Sequence, residues 1–186
     1  MLALTNESVH FIKATDVALD RSFAMNIRKA EICDLAQILS VYARAREFMR
    51  ETGNETQWKS TYPTREIILS DMENGYLHIL LDEDGIEGVF AFLPEGDPVY
   101  DHIDGKWLSE KPHAAVHRVA SAGKKKGILP LCMRYVLSLA DNIKIDTHEN
   151  NLIMQHQLEK LGFVRCGIVT LENGESRIAY QYDAKA

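Results

Sequence analysis

Between His117 and Leu129 the chain reads HRVASAGKKKGIL. Three consecutive lysines stand between Gly123 and Gly127, directly ahead of an apolar run, in a protein of formal net charge -6. If the residues up to Ser121 form a strand and those from Gly127 a helix, the loop between them exposes successive backbone N–H groups and the positive end of a helix dipole. Strand, glycine-containing loop and helix start together make an anion site, most naturally for phosphate, and ammonium groups strengthen it. The other reading is a solvated basic turn that binds nothing, as charge runs often are.

Two nucleotide loops that use the same physics are excluded by spacing. A P-loop needs four residues between its glycines and then Lys and Ser or Thr, whereas Gly123 and Gly127 enclose three and Ile128 follows. No glycine triplet has the spacing of the dinucleotide fingerprint. His117 lies two residues before Val119 on the expected strand, and alternation puts the two on one face. An imidazole titrates near neutral pH and suits proton transfer; a buried, hydrogen-bonded structural histidine is the other reading. His148, just past the next expected strand, and Glu87, on an expected hairpin, are further candidate bases. Trp58, Tyr62, Tyr100 and Trp107 fall in irregular segments, where loops on a rigid scaffold commonly line a pocket; otherwise they cover the edge of the core. No HExxH or CxxC spacing occurs and the seven histidines are scattered, which argues against a metal site.

The elements that must position these residues are legible from Asn26 onward. NIRKA reads as a strand. Asp34 with Gln37 resembles a capping box opening a helix with Leu35, Ile38, Leu39, Tyr42 and Met49 at helical spacing, and Thr64 caps a second helix that ends at Gly75. YLHILLDEDGIEGVFAFL is a hairpin turning at Asp84-Gly85. The segment from Pro94 to Pro112 is either a long loop or a short strand. AAVHRVAS is a strand, and Ile128, Leu131, Cys132, Tyr135, Val136 and Leu139 form the buried stripe of a helix, with Pro130 in its first turn. NIKIDT is a strand, NNLIMQHQLEKLGF a helix, and the chain closes with a hairpin over Asn173-Gly174. The order β-α-α-β-β-β-α-β-α-β-β implies a mixed sheet with helices on its faces, an α/β or α+β layered domain.

Composition bounds the rest. With 186 residues, 46% hydrophobic and 26% charged, the chain suits one soluble domain. Residues 1–24 carry no period and read as an N-terminal extension to a domain over 25–186. No run reaches the roughly 18 apolar residues of a membrane span, and the first residues lack the form of a secretory signal. Cys33, Cys132 and Cys166 are odd in number and widely spaced, which points to packed, reduced thiols and a cytoplasmic protein. The acidic balance of 27 Asp and Glu against 21 Lys and Arg argues against nucleic acid as a partner.

The block from Val119 resembles the acetyl-CoA signature of the GCN5-related N-acetyltransferases (GNAT): a strand ending in Val, a short loop, then Arg or Gln-x-x-Gly-x-Gly or Ala at a helix start. Val119 takes the place of the strand valine, Lys124 the basic position, Gly127 the central glycine and Leu129 the last small residue. Further on, IDTHENNLIMQHQLEKLGF resembles the same family's next strand and helix, with Asn151 in the place of its asparagine. The resemblance spans about 26–183. It implies the GNAT fold, a mostly antiparallel mixed sheet of six to seven strands with about four helices. It also implies acetyl-CoA as cosubstrate, held by Val119, Ala120, Ser121, Lys124, Lys125, Lys126, Gly127, Ile128 and Asn151, and no metal. The implied reaction moves an acetyl group to a primary amine of a small molecule or peptide, with no part for a membrane; a homodimer is left open. Three departures are visible: Lys124 loses the bidentate fork of arginine, Leu129 is not small, and Leu158 stands where many members carry a tyrosine as general acid. The last keeps a non-catalytic acyl-CoA sensor on the same fold, or a plain interaction domain, in contention.

Overall fold

The computed structural model describes residues 25–59 and 61–185, so the expected extension over 1–24 lies outside the described residues. The elements are β1 (Asn26–Lys29), α1 (Leu35–Glu51), α2 (Arg65–Glu73), β2 (Leu77–Asp82), β3 (Gly85–Leu93), β4 (Asp104–Gly105), β5 (Ala114–Ser121), α3 (Ile128–Leu137), β6 (Asn142–Thr147), α4 (Leu152–Lys160), β7 (Val164–Thr170) and β8 (Ser176–Asp183). They build one eight-stranded sheet in the order β1-β2-β3-β5-β6-β8-β7-β4, with four helices on its faces. The strand beyond the expected six to seven is β4, drawn from the segment that the sequence left open. It reaches β7 because Gly105 faces Gly167: a Cβ on either would overlap the other strand's backbone.

Two faces follow from strand alternation. α3 and α4 cover one, where Ile128, Leu129, Cys132, Met133 and Val136 pack with Phe90, Val116, Ile143, Ile145 and Leu158. α1 and α2 cover part of the other, where Ile38, Val41, Tyr42 and Ile68 meet Leu77, Ile79, Val89 and Ala91. A smaller cluster of Tyr100, Trp107, Ala115, Val169 and Ala179 fills the rest of that second face.

Local details differ from expectation in three places. The β2–β3 loop is Glu83-Asp84, not Asp84-Gly85, because Asp82 pairs with Gly85 and the Asp82 carboxylate accepts the Asp84 N–H at 2.8 Å. Asp34 accepts the Glu31 N–H at 2.8 Å and is held by Arg28, whereas Gln37 turns away to accept the Ile86 N–H at 3.2 Å. Cys33 is exposed, against the expectation of three packed thiols; Cys132 is buried, Cys166 half-buried, and all three are free. Among the described residues no helix is long and apolar enough to cross a membrane.

The start of α3 is fixed by a close fit. Ile128 is buried against Gly88 of β3, where a Cβ would come within 2.5 Å of the Ile128 Cγ2 methyl. Gly88→Ala is therefore expected to cost about 1–3 kcal/mol by overpacking, lowering Tm by roughly 2–12 °C. Ile128→Leu, which lacks that β-branch methyl, should recover part of the loss in the double variant; thermal melts of the three proteins check this.

Candidate active site

The sheet is antiparallel except between β5 and β6, which pair only through Ala114↔Ile143, Ala115↔Lys144 and Val116↔Ile145. Both strands run on past that point, so they part and leave a fork in mid-sheet. β5 bends there through a bulge: Ala91 faces His117 and Val89 faces Ala120, leaving Phe90 opposite both Arg118 and Val119. Arg118 sits at φ 54, a left-handed conformation that costs a non-glycine residue of order 1 kcal/mol or more. Its surroundings hold it: its carbonyl accepts the Tyr42 hydroxyl at 3.1 Å, and its guanidinium grips Asp71 of α2 through Nε at 2.7 Å and through a second nitrogen at 2.8 Å. Burial raises the Asp71 carboxyl above its usual range, and Arg118 opposes that.

The bulge also overturns one expectation. His117 and Val119 do not share a face, because the extra residue interrupts alternation: Val119 packs towards α3, while His117 points to the opposite side and stacks on Tyr100, centroids 5.7 Å apart at 14°. There His117 lies between two carboxylates that the sequence did not single out. Nε2 is 3.0 Å from Asp97 Oδ2 and Nδ1 is 3.8 Å from Asp146 Oδ2. The Nε2 approach lacks hydrogen-bond geometry, so that nitrogen is not committed. The contact with His117 holds the Asp97 carboxyl below its usual range. Asp146 is fixed by the buried Tyr100 hydroxyl, which donates to it at 2.8 Å; burial, then the neighbouring Asp146, raises that phenol well above its ordinary value.

A cavity of about 1020 Å³ opens at the fork and is lined from both faces, by Met154, Val116 and Val119 on one side and by Asp97, His117, Asp146, Trp58 and Tyr62 on the other. Of the four expected pocket aromatics, Trp58 and Tyr62 line it. Tyr100 and Trp107 stand behind, in the small core cluster, with the Trp107 indole N–H donating to the Tyr100 carbonyl at 3.0 Å and Lys144 lying 4.0 Å over its ring. Asn151 also lines the cavity, but its amide is employed: Oδ1 caps α4 by accepting the Met154 N–H at 3.1 Å and Nδ2 donates to Gln57 at 2.9 Å.

The other two candidate bases lie elsewhere. His148 Nδ1 accepts the Asn150 N–H at 3.1 Å, its Nε2 is 3.3 Å from Thr56 Oγ1, and burial lowers its pKa. Glu87 is fully buried under the lysine loop, 3.6 Å from Lys124 Nζ, and among the described residues neither carboxylate oxygen has a hydrogen-bond partner. Neither residue lines the cavity.

The loop itself has the geometry of an anion cradle, with Gly123 and Gly127 at φ 79 and 80 and α3 beginning at Ile128. Among the described residues nothing accepts the backbone N–H groups of Lys124, Lys125, Lys126, Ile128 and Leu129. The lysines contribute unequally. Lys125 is tied to Asp82 and lies 3.5 Å from Asp84, Lys124 faces Glu87, and Lys126 has no carboxylate partner among the described residues. Leu129 is turned into the core, which withdraws its bulk from the loop. Leu158 is fully buried in the same cluster and offers no proton donor.

No family model and no curated protein matches the chain. Among solved structures it is similar to an acetyltransferase of the GNAT family from Streptococcus agalactiae, with 32% identity, TM-score 0.77, and 86% of this chain and 95% of that one covered. It is also similar to a protein from Salmonella typhimurium solved with its cofactor acetyl-CoA (15% identity, TM-score 0.58, 87% and 95% covered). A third is a ribosomal-protein-alanine N-acetyltransferase from Brucella melitensis (18% identity, TM-score 0.57, 85% and 99% covered). The last two show the fold alone. The first places the chain in a defined class: it belongs to the GNAT family of acetyltransferases.

One wall of the cavity is pinned by Glu175, which bridges Lys59 and Arg177 at 2.7 Å each and so ties the loop before α2 to the β7–β8 hairpin. Lys59, then Arg177, lowers the Glu175 carboxyl from the usual 4.5 to about 2. A depressed acid stabilises the folded state above its unfolded pKa and loses that contribution as pH falls through the folded one. The bridge is therefore present above about 4.5 and lost on going down to about 2. Glu175→Gln should melt lower than the parent at neutral pH and converge with it across that window, as melts over an acid series will report.

Proposed function

We propose that the protein is an acetyl-CoA-dependent N-acetyltransferase that passes the acetyl group to a primary amine by direct attack in a ternary complex. The fork carries this proposal: a single cavity crosses the sheet between β5 and β6 and meets His117, set between Asp97 and Asp146, at its far side. The residues present fit acetyl-CoA. Free N–H groups at a helix start suit a pyrophosphate, and the edge of β5 beyond Val116, unpaired on the β6 side, suits an extended amide-bearing arm. When bound, the cosubstrate supplies the activated acetyl group.

The chain's own residues do the rest. Asp97 and Asp146 attract the ammonium form of the acceptor, a small-molecule or peptide amine. His117 takes its proton so that the nitrogen lone pair becomes nucleophilic, and a positioned base contributes about 10²–10⁴-fold. Tyr100 supports the imidazole by stacking and by holding Asp146.

Acetyl-CoA at 100 times its dissociation constant should add about 2.7 kcal/mol, raising Tm by roughly 5–10 °C. Thiol release with a panel of amines should be seen with the parent protein, and His117→Gln should lose about 10²–10⁴-fold in kcat with the melting shift retained. Absence of any shift with acetyl-CoA would sink the proposal; a shift without thiol release for any amine would favour an acyl-CoA sensor.

A further inference from the structure

Thr147 ends β6 at the mouth of the fork. It is fully buried and lines the cavity, yet among the described residues its hydroxyl has no hydrogen-bond partner. Burying a hydroxyl without a partner is costly, and such a group points to something that is absent from the free protein. Counted from the last paired residues, Val116 and Ile145, Thr147 stands two positions on, level with Arg118 where β5 bends away. Alternation along β6 puts it with Ile143 and Ile145, on the face beneath α4 and opposite to Asp146. Leu158, on that same face, carries no proton to donate.

We infer that Thr147 is a catalytic residue whose hydroxyl donates a hydrogen bond to the sulfur of acyl-CoA and stabilises the negative charge that develops there. This rests on the acetyltransferase proposal above. In the step concerned, the amine lone pair forms the C–N bond to the acetyl carbon and the C–S bond breaks with its electron pair on sulfur. Two protons leave the ammonium nitrogen over the whole reaction: one passes through His117 to solvent, the other ends on sulfur as the free thiol. Thr147 keeps its own proton throughout. His117 thus works from one face of the sheet on the nitrogen, and Thr147 from the other on the leaving group.

Thr147→Val removes the hydroxyl at nearly constant shape, and Thr147→Ser keeps it. Without ligand, Thr147→Val should melt at or above the parent temperature, because it removes an unpaired buried polar atom. A hydrogen bond to a charged group predicts a loss in kcat of about 10- to 100-fold for Thr147→Val, with the amine KM little changed and most of the rate kept in Thr147→Ser. The binding test uses calorimetry with CoA, acetyl-CoA and desulfo-CoA at a pH where the free thiol is largely ionised. Thr147→Val should weaken CoA about tenfold or more and leave desulfo-CoA unchanged. Equal losses for all three ligands, or none for CoA, would overturn the inference. Should acetyl-CoA fail to bind the parent protein, it is the acetyltransferase proposal that fails, and the two failures are told apart by that control.

Discussion

The separation of β5 from β6 is the constraint on which the rest of the molecule depends. A parallel pair needs a crossover, and α3 supplies it, arriving on the face where its N-terminus meets the lysine loop. Three residue pairs suffice to hold the strands together; past them, the bulge at Arg118 turns β5 away. The left-handed backbone there is not a free choice. A buried, doubly bonded ion pair to Asp71 and the hydroxyl of Tyr42 both hold it, so α1 and α2 stabilise the bend as well as covering the sheet.

The bend has a chemical result. Alternation from Ala115 and Val116 already sets His117 on the side of Asp97 and Tyr100, and in an uninterrupted strand Val119 would face that same way. The extra residue in β5 sends Val119 to the side of α3 instead. On the proposed function, the two ends of the reaction would be segregated across the sheet thickness and would meet through the gap between β5 and β6. Side chains from irregular chain, such as Asp97, can approach that gap only because the segment after β3 folds back over β5 and is anchored by the small cluster around Tyr100 and Trp107.

The order of strands and helices was legible because each element carries a clean apolar period: Leu35 to Met49 for α1, Ile128 to Leu139 for α3, and alternating runs for the hairpins. The lysine loop stood out by charge. What stayed hidden depends on contacts distant in sequence. Nothing in HRVAS marks Arg118 as left-handed, since no glycine stands there and Asp71 lies 47 positions earlier. Asp97 and Asp146 come together only through His117, and Tyr100 reads as an edge aromatic until its hydroxyl is seen on Asp146. Leu129 looked obstructive from its position in the motif, but helical phase takes it into the core.

The lysine loop has a bearing on how a ligand arrives. Lys125 is matched by Asp82 and Asp84, and Lys124 by the buried Glu87, so most of the loop's positive charge is cancelled within a few ångströms. Seen from beyond a Debye length of about 10 Å, the region is nearly neutral on a protein of net charge -6. Such a surface does not steer a polyanion by its far field. On the proposed function, capture would be left to short-range donors, the backbone N–H groups and Lys126, which act at close range; encounter should then be slow for so basic a motif and nearly indifferent to ionic strength.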